Sequence, residues 1–218
     1  MVRSGTATLL FDLDGTLTDP KAGIVNCIVH ALHALGIDVP HPDTLTGFIG
    51  PPLLDSFAVL LGGDRTEAAR AVQLYRERYA TLGLFENAVY DGIPEVLRAL
   101  REAPSRRMFV ATSKPREFAE PIMTRFGLRG YFEGIYGSEL DGTRTDKGHL
   151  LRHLLDTERI DPAQATMIGD RAYDILGAKS CGLRSVGVLW GYGSRAELES
   201  AGAQGLCGLP ADLLSWIG

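Results

Sequence analysis

Two aspartates one residue apart, Asp12 and Asp14, end an apolar run in TATLLFDLDGTLTD, residues 6–19, and Gly15 and Thr16 follow at once. Side chains alternate along a strand, so both carboxylates leave it on one side. Like charges that close repel, and one takes up a proton unless a cation holds them. A turn at Gly15 accounts for one aspartate and leaves the other unexplained at the end of a buried strand. Three more polar groups follow apolar runs or open a helix: Thr112, Ser113 and Lys114 after RRMFVA, Asp170 after ATMIG with Asp174 one turn on, and Lys147 in DKGHLLRHLLD. Acids, a hydroxyl and an amine are the parts that phosphoryl transfer needs. A divalent cation gathers Asp12, Asp14 and Asp170 without mutual repulsion, and oxygen ligands beside a phosphate favour Mg2+. Asp12 is then the group to attack phosphorus and form an aspartyl-phosphate, with Asp14 as acid and later base. Thr112 and Lys147 are expected to bind the phosphoryl group, with backbone N–H groups around Gly15, Thr16 and Ser113 cradling its oxygens.

Residues from such distant segments meet only if a fold brings strand ends to one rim. Open parallel sheets do so, and bind ligands beyond the carboxyl ends of their strands. From residue 90 onward, helical and strand patterns alternate: helix 90–103, strand 106–113, helix 115–127, strand 132–138, helix 146–156, strand 165–170, helix 172–182 and strand 185–191. This predicts an α/β fold, a Rossmann-like parallel sheet wound in right-handed crossovers. The run Leu9, Leu10, Phe11 belongs to the same sheet. Between it and residue 90 the pattern is helical, over 19–36, 51–63 and 64–83, with Asp19 as N-cap and Pro20 at the first position of the first helix. The expected organisation is a core of residues 1–18 and 88–218 with an inserted α-helical cap domain, 19–87.

The chain has 218 residues, is 45% hydrophobic and carries a formal net charge of −5. That composition suits a globular protein and offers no basic footprint for a nucleic acid polymer. An acidic protein that handles phosphate must concentrate positive charge locally or take it from a metal. No apolar stretch approaches a membrane span, and the N-terminal run is too short for a signal peptide. Cys27, Cys181 and Cys207 lack metal-ligand spacing and suit a reducing compartment, so a cytoplasmic protein is expected.

FDLDGTLTD resembles the first motif of the haloacid dehalogenase superfamily of phosphatases, FVATSKP its second, Lys147 its third and MIGDRAYD its fourth. They appear in the family's order across nearly the whole chain. The resemblance implies Asp12 as nucleophile and metal ligand, and Asp14 as acid/base with its backbone carbonyl on the metal. It implies Thr112 and Lys147 as phosphate-binding groups, and Asp170 and Asp174 as further acids on Mg2+. FIGPPLLDSF, VYDGI and LDGTRTDKG are similar to a phosphoglycolate phosphatase-like or 5′-nucleotidase-like branch. Two departures stand out: Arg171 follows the metal-binding aspartate where Ser or Thr is frequent, and Gly148 follows the lysine where many relatives have Pro.

The expected activity is a Mg-dependent phosphomonoester hydrolase for a small phosphorylated metabolite, of the phosphoglycolate or nucleoside 5′-monophosphate class. The alternatives are a sugar phosphomutase using the same chemistry, or a non-catalytic phosphate sensor, which the intact Asp14 argues against. Lys21, Phe48 and Gly50 are the candidate cap contacts to substrate. No membrane partner is expected, and the assembly is a monomer or homodimer. ELDGTRTD, residues 139–146, imitates the first motif but reads as the loop presenting Lys147, with a turn at Asp141-Gly142. His149 and His153, like His30 and His33, read as solvated helix faces. Most of Arg65, Arg70, Arg76 and Arg78 read as exposed helix charges.

Overall fold

The computed structural model describes residues 8–39, 41–102 and 106–217. The expected end of the first core helix at residue 103, and the core's residues 1–7, lie outside the described residues. By its internal contacts the chain divides into two compact units, Met1–Thr18 with Val89–Gly218, and Asp19–Ala88.

The larger unit is built on a six-stranded parallel sheet: β1 (Thr8–Phe11), β4 (Arg107–Pro115), β5 (Gly134–Ser138), β6 (Ala165–Gly169), β7 (Arg184–Val188) and β8 (Gly205–Cys207), in the order β5-β4-β1-β6-β7-β8. The chain works outward from β1 through β4 to β5, then returns to β6 on the other side. The order therefore reverses beside β1, where open α/β sheets bind ligands. Register fixes what emerges there: Phe11 is level with both Val110 and Ile168, so Asp12, Thr112 and Asp170 leave three adjacent strands within two residues of one another. Asp12 N donates to Ile168 O at 2.9 Å, which anchors it.

The β1 side chains are buried on both faces, as a central parallel strand requires. Leu10, Phe109 and Met167 pack against Leu151, Leu154 and Leu155 of α6 (Lys147–Glu158). A buried side chain of this size stabilises the fold by about 1.5–3 kcal/mol. Next to α6, Ala178 of α7 (Ala172–Ser180) joins the same core, and Ile175 of α7 packs on Leu198 of α8 (Arg195–Ala201). Two further helices, α4 (Ile93–Glu102) and α5 (Arg116–Arg125), precede β4 and β5, and α9 (Asp212–Ile217) closes the described chain.

The smaller unit holds α1 (Lys21–Ala34), α2 (Leu53–Leu60) and α3 (Arg65–Tyr79). Its centre is aromatic: Phe48 meets Phe57 edge-on at 5.1 Å, and Tyr75 stacks on Tyr79 at 5.2 Å. Asp64 caps α3 by accepting from Thr66 N and Glu67 N, and the Arg78 guanidinium grips both oxygens of Glu86.

Several boundaries differ from the sequence pattern. Pro20, not Asp19, is the cap residue of α1; Asp19 Oδ1 instead accepts from Lys21 N. β4 runs to Pro115 through a register shift after Thr112, because β5 goes on pairing beyond the expected end. A two-stranded ribbon of β2 (Thr18–Asp19) and β3 (Ala88–Val89) is too short to leave a pattern. β8, α8 and α9 extend the core past the last expected strand.

Candidate active site

The first-motif turn closes on itself. Gly15 N donates to Thr18 O at 2.8 Å, and Thr16 N, Leu17 N and Thr18 N all reach Leu13 O. The N–H groups of Gly15 and Thr16 are thus committed inside the turn, which corrects the expectation that they cradle a phosphate. Gly15 serves another need. Its φ is +82°, and an added Cβ would fall 2.2 Å from Asp170 Oδ2. Only glycine lets the turn take that shape and lets Asp170 come so near. Thr16 is fully buried, with its hydroxyl 3.5 Å from Asp170 Oδ1.

Asp12, Asp170 and Asp174 form one acidic cluster, each offering an oxygen within 4.8 Å of the others. Asp170 and Asp174 are almost wholly buried. Asp174 reaches the cluster from the first turn of α7, where its Oδ2 accepts from Arg171 N at 3.1 Å. Burial raises the Asp170 carboxyl well above the usual range, and the charges of Asp174 and Asp12 raise it further. Burial likewise lifts Asp174, to about 6, against the pull of Lys147. Three converging carboxylates, all oxygen donors, two of them buried where ionisation is disfavoured, fit a hard divalent cation.

Lys147 stands at the start of α6, which Asp146 caps by accepting from His149 N at 2.8 Å. Asp141 accepts from Thr143 N at 2.8 Å, so residues 139–146 form the turn-bearing loop that leads to the lysine. The ammonium lies 3.0 Å from Asp12 Oδ1, 2.9 Å from Ala111 O and 2.7 Å from Asp174 Oδ1. Burial alone would push this amine down, but Asp12 and Asp174 outweigh it and hold Lys147 above its ordinary value. Gly148 is explained by packing: a Cβ there would meet Ser180 Oγ at 2.7 Å.

Thr112 is buried, and its hydroxyl oxygen accepts from Lys114 N at 3.2 Å. Ser113 O accepts from Ser138 Oγ at 2.8 Å, tying β4 to β5. The Asp14 side chain does not join the acidic cluster. Its Oδ2 lies 2.8 Å from Lys114 Nζ. Burial raises the Asp14 carboxyl, and Lys114 opposes that rise.

Sequence reasoning missed one wall of the site, residues 190–193. Tyr192 N donates to Asp170 Oδ2 at 2.8 Å, and Trp190 Nε1 donates to Thr16 O at 3.0 Å. Added Cβ atoms would lie 2.3 Å from Gly15 O at Gly191 and 1.9 Å from Asp170 O at Gly193. The glycine spacing in WGYG was the available signal. Arg171 turns to α8, where its Nε donates to Glu197 Oε1 at 3.0 Å, and that same oxygen accepts from Ala172 N at 2.8 Å.

Residues 9–188 match the family model described as haloacid dehalogenase-like hydrolase. The chain belongs to the haloacid dehalogenase-like hydrolases. Among relatives, a protein named 5′-nucleotidase from Pseudomonas aeruginosa is 51% identical over 192 residues, covering 88% of this chain and 86% of the relative. A protein named tyrosine-protein kinase PtkA from Mycobacterium tuberculosis is 40% identical over 185 residues, covering 85% of this chain but 62% of that longer protein. The crystal structure of a predicted phosphatase from Clostridium acetobutylicum superimposes with a TM-score of 0.93 at 40% identity, covering 98% of this chain and 99% of that one. Family membership agrees with the fold and with the enzyme class read from the four motifs.

The smaller unit is described by itself. Lys21 Nζ pairs with Asp43 at 3.0 Å, and Phe48 is buried in the aromatic packing. Gly50 is exposed with φ +108°. Among the described residues no helix is long and apolar enough to cross a membrane.

Proposed function

We propose that the protein is a Mg2+-dependent phosphomonoester hydrolase acting on a small phosphorylated metabolite, with nucleoside 5′-monophosphates the first class to test and phosphoglycolate the second. The observation that carries this reading is the separation of two buried acids that are neighbours in sequence. Asp12 lies with Asp170, Asp174 and Lys147, whereas Asp14 lies with Lys114. One acid is thus placed beside the cation site and Lys147 as a nucleophile, and the other is set apart from them to exchange a proton. The 51% identity to a protein named 5′-nucleotidase supports nucleotides as the first choice.

Asp12, Asp170 and Asp174 are the residues that would hold the cation, which supplies charge neutralisation of the phosphoryl oxygens when bound. The chain's own groups do the rest. A carboxylate oxygen of Asp12 attacks phosphorus, the ester P–O bond breaks, and Asp14 gives its proton to the departing alkoxide. Water then attacks the aspartyl-phosphate and gives a proton to Asp14, releasing inorganic phosphate and restoring Asp12. Lys147 holds Asp12 in line, and Thr112, whose oxygen already accepts from Lys114 N, has its O–H to donate to a phosphoryl oxygen.

The test is phosphate release from a panel of nucleoside monophosphates, phosphoglycolate and p-nitrophenyl phosphate with and without Mg2+. Asp12→Asn is expected to remove at least about 10³ of the rate, as loss of a nucleophile does. Undiminished release by Asp12→Asn contradicts the assignment. Isomerised sugar phosphate, or label carried to a protein hydroxyl, with little free phosphate would mean that the acceptor is not water.

A further inference from the structure

Each acid of the opening motif has a lysine of its own. Lys147 uses its contacts on Asp12, Asp174 and Ala111 O. Lys114 Nζ lies 2.8 Å from Asp14 Oδ2, and the two side chains are only 7% and 14% exposed. The other oxygen, Asp14 Oδ1, is buried and has no hydrogen-bond partner among the described residues. An orphaned acceptor of this kind costs free energy unless a ligand or water meets it. Lys114 sits within the register shift of β4 between Thr112 and Pro115, and its backbone N–H also orients the Thr112 hydroxyl.

We propose that Lys114 is a positioning residue: it clamps Asp14 by Oδ2 and so presents Oδ1 to the oxygen of the departing alcohol. Left alone, a carboxylate two residues from Asp12 would be turned away by that neighbour's charge. The clamp opposes that repulsion and fixes one rotamer, so the acid is aimed before substrate arrives. This inference rests on the hydrolase reading above, with Asp14 as proton donor.

The experiment measures kcat/KM, which reports formation of the phosphorylated enzyme, for phosphate monoesters whose leaving groups run from p-nitrophenol to simple alkyl alcohols. Wild type, Lys114→Met, Lys114→Arg, Asp14→Asn and the Asp14→Asn/Lys114→Met double variant are compared. Proton donation matters most for the most basic leaving groups, so Lys114→Met is expected to lose about 100-fold on alkyl esters and less than about 5-fold on p-nitrophenyl phosphate. Lys114→Arg, which keeps a cation but moves it, should recover part of the alkyl activity. In the Asp14→Asn background, Lys114→Met should cost nothing further, because the two act as one unit. A loss of the same factor on every ester, or losses that multiply in the double variant, would overturn the clamp. Either result would mean that Lys114 touches the transferred phosphoryl group or only supports the fold. If Lys114→Met does not fold, Lys114→Arg alone decides: a steeper dependence on the leaving group supports the clamp, and a parallel loss refutes it. Wild type that releases phosphate from no ester would sink the hydrolase reading and this inference together.

Discussion

Asp170 is held from four directions: its Oδ2 accepts from Tyr192 N, its Oδ1 faces the Thr16 hydroxyl, and Gly15 and Gly191 lie against its side chain. Such a carboxylate cannot turn away from Asp12 and Asp174, so the three must be neutralised where they stand. The pKa values of Asp170 and Asp174 give the sign of the pH response. Asp174 titrates near 6 in the folded protein against 3.8 for an exposed aspartate, and Asp170 is also raised. At these two sites the folded state therefore binds more protons than the unfolded chain between these values. Their contribution to metal-free stability is fully present below the lower value and is lost as pH rises through the upper one. A divalent cation should cancel that loss. Millimolar Mg2+ is expected to raise Tm clearly at about pH 7.5 and hardly at all at about pH 4.5, where protons compete for the same oxygens. A scanning fluorimetry series at the two pH values checks this, and an equal shift at both would speak against these acids as the ligands.

The elements that aim these side chains were readable to different depths. β1 announced itself through Leu9, Leu10 and Phe11 before two acids, and α6 through DKGHLLRHLLD, because burial and helix start each leave a mark in residue type. Residues 190–193 left only two glycines around a tyrosine. Their role lies in long-range contacts to Asp170 and Thr16 that no local pattern encodes. α8 carried a legible start, Ser194 with Glu197 three residues on, yet Glu197 also reaches Arg171 and Ala172, a tertiary use that no local pattern records. The turn around Gly15 was found, but its N–H groups were assigned to phosphate when they close on Leu13 and Thr18. Two predictions belong at this scale. Gly191→Ala should push the 190–193 segment off Asp170 and weaken Mg2+ binding by at least about tenfold, as loss of support for a metal ligand does; calorimetric titration measures it. Asp146→Ala removes the cap of α6 and should cost about 1 kcal/mol in urea denaturation. Because Lys147 is the next residue, it should also lower kcat beyond what that stability loss explains.

At the scale of the molecule, an acidic chain of net charge −5 is read as a handler of an acidic substrate. The structure reconciles the two by burying Lys147 and Lys114 at the sheet's reversal point and by leaving three carboxylates that fit a dication. The sheet order accounts for why residues 12, 112, 147, 170 and 174 meet although the helical unit of Asp19–Ala88 interrupts the sequence between the first two. The most direct test is a crystal structure with Mg2+ and beryllium fluoride, a mimic of a carboxylate-bound phosphoryl group. The account predicts beryllium bonded to an Asp12 oxygen, with the metal ligated by Asp12 and Asp170. Beryllium on another residue, or a metal that does not touch Asp170, would contradict it.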